Sequence, residues 1–268
     1  RDIGESRGLG DVYKRQVLAN NTILATGHSA RDIFKLLNKK SIEIKYKPFA
    51  MGIRIEHPQY LIDQIQYSCY ERGPYLPPAS YKLVTQINKR GVYSFCMCPG
   101  GFIVPAATNS GEIVVNGMSP SKRDSIFSNS GIVVEVKEED LIRFKKYGEL
   151  KGLYYQMELE KSMCKITSEL QVAPAQRMVD FVNKKTSNNL NKTSYQPGIL
   201  SQPMHEILPK SIYNSLSESF KVFGKKMKGY LSNEANIIGL ESRTSSPLSI
   251  PRNIENLQHI SSVSYTDL

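Results

Sequence analysis

The chain has 268 residues, 40% hydrophobic and 22% charged, a balance that excludes a collagen-like or wholly disordered protein and leaves room for one large or two modest cores. No apolar run approaches the roughly 18 residues of a membrane span, no charged-then-apolar signal segment opens the chain, and the four cysteines include no CxxC pair. These features point to a soluble, cytoplasmic protein with reduced thiols, no membrane partner and no metal centre, while the net charge of +10 invites the question of a nucleic-acid partner.

In chain order, residues 1–16 show no sustained period and begin without methionine. They closely resemble the in-frame translation of a sequencing-library adapter, and residues 263–268 resemble the opposite adapter, so segments 1–16 and 261–268 are expected to be non-native. A buried strand over 21–27 runs into a glycine turn, followed by a helix over 30–37 with Ile33, Phe34 and Leu37 on one face. From Phe49 the pattern turns to β: short β-branched or aromatic runs over 49–56, 92–97, 102–105, 113–116 and 132–136 suggest a largely antiparallel sheet. Helices are expected over 140–147, 153–164 and 173–182, the last with Pro174 in its first turn. After Pro209, residues Ile212, Leu216, Phe220, Phe223 and Met227 build one apolar stripe, which reads as a core-facing helix. Residues 184–203 read as a long surface loop and 237–240 as a strand. The basic clusters Lys39-Lys40, Lys184-Lys185 and 225–228 lie near polar turns, with no stacking aromatics interleaved, and read as solvated surface.

Four segments carry residue types suited to chemistry. At Ala25-Thr26-Gly27 a strand-end glycine lets backbone approach a ligand, and the following helix start offers N–H groups to a phosphate or ribose oxygen; a plain capped connection is the alternative. At Arg54-Ile55-Glu56-His57, Arg54 and Glu56 share a strand face, and His57 beside a carboxylate suits proton transfer as well as a structural hydrogen bond. Strands flank a Pro99-Gly100-Gly101 turn. Period-2 alternation puts Cys96 and Cys98 on one face with Cα atoms roughly 6.5–7 Å apart, so they read as two small buried residues rather than a disulfide. Finally, Glu241-Ser242-Arg243-Thr244-Ser245-Ser246 gathers hydroxyls around a carboxylate and a guanidinium, suited to an anion, a polar ring edge or a self-capped turn.

Taken in order, segments 22–32, 47–59, 76–82, 90–101, 116–119 and 241–247 resemble a largely uncharacterised bacterial family of FAD-dependent dehydrogenases, within the flavoproteins that carry two dinucleotide-binding domains. The resemblance covers nearly all of 17–260. It implies an α/β plus α+β fold, in which a remnant of a Rossmann-like FAD-binding domain (17–45, returning at 236–260) carries a large, mixed but largely antiparallel substrate or cap domain (46–235). The family's GxGxxG turn and closing glycine-rich segment are missing, so the chain is expected to be an internal fragment of a longer flavoenzyme. By the same resemblance, Ala25, Thr26 and Gly27 contact FAD near its ribose and pyrophosphate, and Cys98, Gly100, Gly101, Glu241, Arg243, Thr244 and Ser245 line the isoalloxazine side. Arg54 or Arg243 would stabilise charge on the reduced ring, and His57 would move a proton. FAD is the implied cofactor of the parent, NAD(P)H a further redox partner that the class allows, and the substrate an unidentified small molecule. The alternative from another class is a non-enzymatic, basic α+β module that binds RNA.

Overall fold

The computed structural model describes residues 23–167 and 171–260, so the expectations for 1–16 and 261–268 lie outside the described residues. Helix α1 (Arg31–Lys39) buries Phe34 and Leu37 and is followed by the two-residue strand β1 (Lys45–Tyr46). Next come β2 (Phe49–Pro58), α2 (Gln59–Tyr67), β3 (Val84–Ile87) and β4 (Arg90–Cys98), then the hairpin β5 (Phe102–Pro105) and β6 (Val115–Met118). Strand β7 (Phe127–Val136) leads into a 3-10 helical segment, Glu138–Leu150, and α3 (Lys151–Ile166). The remaining elements are β8 (Ala173–Arg177), α4 (Met178–Val182), β9 (Ile199–Ser201), α5 (Met204–Ile207), α6 (Lys210–Lys226), β10 (Asn236–Glu241) and β11 (Leu248–Ser249).

One seven-stranded sheet dominates, in the order β3-β4-β7-β2-β10-β8-β9, with every pairing antiparallel except β8 with β9. Strands β2 and β7 show no in-out alternation and are buried almost throughout, because both faces of the sheet are covered. Helix α6 covers one face, against β2, β3, β4 and β7; the β5–β6 hairpin covers the other, against β2, β4, β7 and β10. The α6 stripe is core-facing as its spacing predicts: Ile212, Leu216, Phe220 and Phe223 are at most 1% exposed. A separate small cluster joins α1, β11 and the start of α3 through Phe34, Leu37, Leu150, Leu153 and Leu248.

The fold is thus mixed α/β with a mostly antiparallel sheet, and several local expectations need correction. Residues 23–27 form no strand, and Ile23 is 91% exposed; among the described residues no strand lies beside this run to take its N–H and C=O groups. The helix expected over 173–182 divides: 173–177 is strand β8, and only 178–182 is helical. Pro174 is tolerated because the ladder to β10 begins one residue later, at Ala175. The loop 184–203 is not merely surface, since it contains β9 and buries Ser187, Ser194 and Tyr195. The described residues display no Rossmann-type parallel sheet around 23–45, and residues 236–241, assigned from sequence to a returning domain, supply β10 inside the main sheet between β2 and β8.

Candidate functional site

One row across the sheet sets the geometry. Phe95 of β4, Gly131 of β7, Arg54 of β2 and Ile238 of β10 are successive cross-strand partners. The flanking ladders slip on opposite sides of this row, from Phe95↔Gly131 to Cys98↔Asn129 toward the Glu56 end of β2 and from Ile238↔Arg54 to Glu241↔Gly52 toward its Gly52 end, each with one extra residue on the outer strand. Such bulges re-aim side chains, and here they turn Cys98 and Glu241 onto Arg54.

Arg54 is fully buried, and its planar fork is fully engaged. Nε donates to Asn129 Oδ1 at 2.7 Å; Nη1 donates to Glu241 Oε2 at 2.5 Å and Asn116 Oδ1 at 3.3 Å; Nη2 donates to the Cys96 carbonyl at 2.6 Å and lies 3.6 Å from Cys98 Sγ. Two glycines make the room: a methyl at Gly117 would overlap Arg54 Nη2, and one at Gly131 would stand 3.2 Å from Glu241 Cγ. Burial pushes the Glu241 carboxyl above the usual range, an effect that the charge and hydrogen bond of Arg54 offset only in part.

The bulge also overturns the expectation that Cys96 and Cys98 share a buried face. Cys96 has φ of 45° and is exposed, whereas Cys98 is 7% exposed and donates to the Cys96 carbonyl at 3.3 Å. Burial raises the Cys96 thiol pKa, with Arg54 opposing. Gly100 and Gly101 are buried, and their N–H groups are taken by Gln59 Oε1 at 2.7 Å and the Phe127 carbonyl at 3.0 Å.

Arg243 belongs to a second cluster. Its Nη2 donates to Glu112 Oε2 at 3.0 Å and Glu160 Oε2 at 2.9 Å, while Arg31 of α1 donates to the same two carboxylates at 3.1 and 2.8 Å. Ser242 Oγ adds a 2.5 Å bond to Glu160, and Arg243 Nη1 reaches Thr108 Oγ1 at 2.7 Å. Burial alone would raise the Glu160 carboxyl, but the hydrogen bonds and charges of Arg243 and Arg31 outweigh it and hold the group below its ordinary value. Through Arg31 this quartet anchors α1 to the segment after β10. Ala25, Thr26 and Gly27 precede α1 as exposed coil, with no protein atom within 4 Å of a Cβ at Gly27. Thr244 and Ser245 are half-buried, with Thr244 Oγ1 donating to the Ala50 carbonyl at 3.1 Å.

His57 stands apart. Three residues along β2 from Arg54, it faces the α6 side, where its ring lies 4.8 Å from that of Tyr230 and Nε2 donates to the Tyr230 carbonyl at 2.8 Å. It is fully buried, and burial pushes its pKa down to about 4 against the pull of that hydrogen bond, so it is neutral at pH 7. Glu56 points instead toward loop 184–203, where the Ser194 N–H and hydroxyl bind it. A cavity of about 120 Å³ lined by Glu56, His57, Pro58, Phe127, Asn191, Lys192 and Glu234 holds none of the other candidates.

The structure therefore joins Arg54, Cys98 and Glu241, keeps Arg243 in a neighbouring quartet and leaves His57 on the opposite face. Sequence reading missed Asn129, Gly117, Gly131, Glu112, Glu160 and Arg31 as partners. A signal was present in Glu160, a carboxylate at helical spacing from Gln156 and Met163 on the buried face of α3, and in the Asn129-Ser130-Gly131 interruption of an apolar strand.

Among the described residues no helix is long and apolar enough to cross a membrane. The model of a family described as FAD-dependent protein, C-terminal domain-like matches residues 48–244, which contain the whole Arg54 cluster. An uncharacterized protein of Clostridium beijerinckii is 40% identical over 246 residues, covering 90% of this chain and 46% of the relative. The chain thus spans less than half the length of that relative.

Proposed function

This chain belongs to the FAD-dependent protein, C-terminal domain-like family, and on that premise we propose that it forms the substrate-facing part of a FAD-dependent oxidoreductase. The whole enzyme would be a dehydrogenase, passing hydride or electrons through flavin to or from a small organic molecule. The observation that carries this reading is the match over residues 48–244. The Arg54 cluster, a buried ion pair set between two bulges with the buried Asn129 Nδ2 left without a hydrogen-bond partner, supports a site on that side of the sheet.

By themselves the described residues do not fit a whole FAD. The cavity beside His57, about 120 Å³, is well below the roughly 300–1,000 Å³ of ordinary ligand pockets. The N–H groups of Gly100 and Gly101 are already used, and Arg54 and Glu241 are sealed from solvent. What the residues do offer is a partly open polar rim beside the Arg54 cluster, with Cys96 exposed and Asn116 and Gly117 half-buried. In this reading Arg54 and Arg243 are positioning residues, each neutralised by carboxylates, that hold the β4 bulge and the 242–246 turn in place. His57, neutral and enclosed, takes no part, and nothing in the reading calls for NAD(P)H.

The test uses the longer relative of Clostridium beijerinckii. Purified, it is expected to be yellow, to bleach on reduction with dithionite and to release FAD on heating. A colourless protein that stays colourless after incubation with FAD would overturn the reading. The 268-residue chain alone is expected to take up FAD far more weakly than the relative does.

A further inference from the structure

Half-buried Tyr147 and Tyr154 stack face to face, with ring centroids 3.8 Å apart and planes 13° from parallel. Lys35 of α1 lies over the Tyr154 ring at 5.7 Å and Lys146 over the Tyr147 ring at 5.1 Å, so two exposed ammonium groups are held against one aromatic stack. The structure thus supplies the aromatic interleaving that the linear sequence does not display. Further exposed lysines lie on the same elements: Lys39 one turn from Lys35, and Lys161 and Lys165 seven and eleven residues from Tyr154 along one face of α3. With Arg31 spent in the buried quartet, residues 32–47 carry five Lys against Asp32 and Glu43, the latter paired with Lys45. Many acids of this region are already neutralised: Glu138 by Lys151, Glu158 by Arg143, and Glu139 and Asp140 by Arg90.

From this arrangement we infer that the α1, 138–150 and α3 surface binds the phosphate backbone of single-stranded RNA. Cations held beside aromatic rings track a flexible polyanion; the ring faces are taken by the stack and its two lysines, so the rings border the path with their edges and hydroxyls while the lysines meet the phosphates. An anionic membrane is the weaker fit, because the rings are overlain by lysines and no apolar wedge stands clear of the charge. The inference is independent of the flavin reading.

The experiment measures binding of a fluorescent 20-nucleotide poly(U) RNA to the whole chain across a salt series. With about four phosphates neutralised, log Kd is expected to change with log salt with a slope of about 3. The double variant Lys35→Glu, Lys146→Glu is expected to weaken binding at least tenfold at 50 mM salt and to flatten the slope; the pair Lys35→Gln, Lys146→Gln does so more mildly and guards against misfolding. Lys225→Glu with Lys228→Glu alters total charge equally at the far end of α6, whose start touches Asp140 through Ser211, and is expected to leave affinity within twofold. Absence of binding at 50 mM salt, equal losses for the two charge-reversal pairs, or binding to phosphatidylserine vesicles without RNA binding would each overturn the inference.

Discussion

A methyl group at position 117 would overlap the Arg54 guanidinium and the Asn129 side-chain oxygen, whereas one at position 91 meets open space. Gly117→Ala is therefore expected to cost about 1–3 kcal/mol and Gly91→Ala no more than about 0.5 kcal/mol, both read from urea unfolding; equal costs would mean that Arg54 does not lie against position 117 in solution. Glu241→Gln strikes harder, because it leaves Arg54, fully buried, without its counter-charge, a change that typically costs about 3–5 kcal/mol. At His57 the prediction concerns pH. Its folded pKa, pushed down to about 4, lies below the ordinary 6.5, so the unfolded chain takes up a proton first as pH falls. The stability contributed is full above about pH 6.5 and is lost as pH falls through about 4, on the order of 3 kcal/mol in all. Measured at pH 7 and pH 4, the native protein is expected to lose more stability than His57→Gln by most of that amount; parallel losses would place the titration elsewhere. Glu241 and the Asn129-Ser130-Gly131 interruption stand out in sequence, but their meeting at Arg54 does not, because bulges decide which side chains meet Arg54, and a bulge depends on two strands rather than one.

The elements differ in how openly the sequence declares them. Helix α6 is plain from its stripe, and β5 falls on the expected residues 102–105, since each is set by local periodicity and flanking turns. Segment 173–182 is rich in helix formers, yet its first half is drawn into β8, because β9 and β10 offer it ladders on both sides. Tertiary pairing also explains β3, where alternation over four residues is too short to stand out. Helix α1 is held by more than its apolar face: Arg31 ties it to Glu112 and Glu160. Arg31→Met is expected to leave that carboxylate pair with Arg243 alone and to loosen α1 selectively. Hydrogen exchange should quicken at residues 33–37 while β2 and β7 stay protected; uniform quickening would show that the quartet supports the whole molecule rather than one helix.

For the molecule as a whole, the largely antiparallel sheet was foreseeable from the run of β segments, and the helix on one face from the α6 stripe; the covering of the other face by the β5–β6 hairpin was not. The placing of 236–241 was not. A strand pattern says nothing about its partners, and β10 lies between β2 and β8. A chain ending at residue 235 would therefore lose an inner strand and open two edges. It is expected to show no cooperative thermal transition by circular dichroism; a sharp transition near that of the whole chain would favour a self-sufficient unit over 46–235. The candidate site follows the same logic, because Arg54 and Glu241 are brought together only by the β2–β10 pairing.

That pairing also bears on how the protein is made. Ile55 of β2 pairs with Ile237 of β10, roughly 180 residues later, so the sheet contains contacts of very long sequence separation, a trait of slow folding. At about 5–20 residues per second, a ribosome needs about 10–35 s after releasing β2 to deliver its inner neighbour. During that interval one side of β2 has no native strand to receive its backbone groups, an open template for other nascent chains. Recovery of folded protein should accordingly depend on expression temperature and on chaperones that shield extended segments during translation.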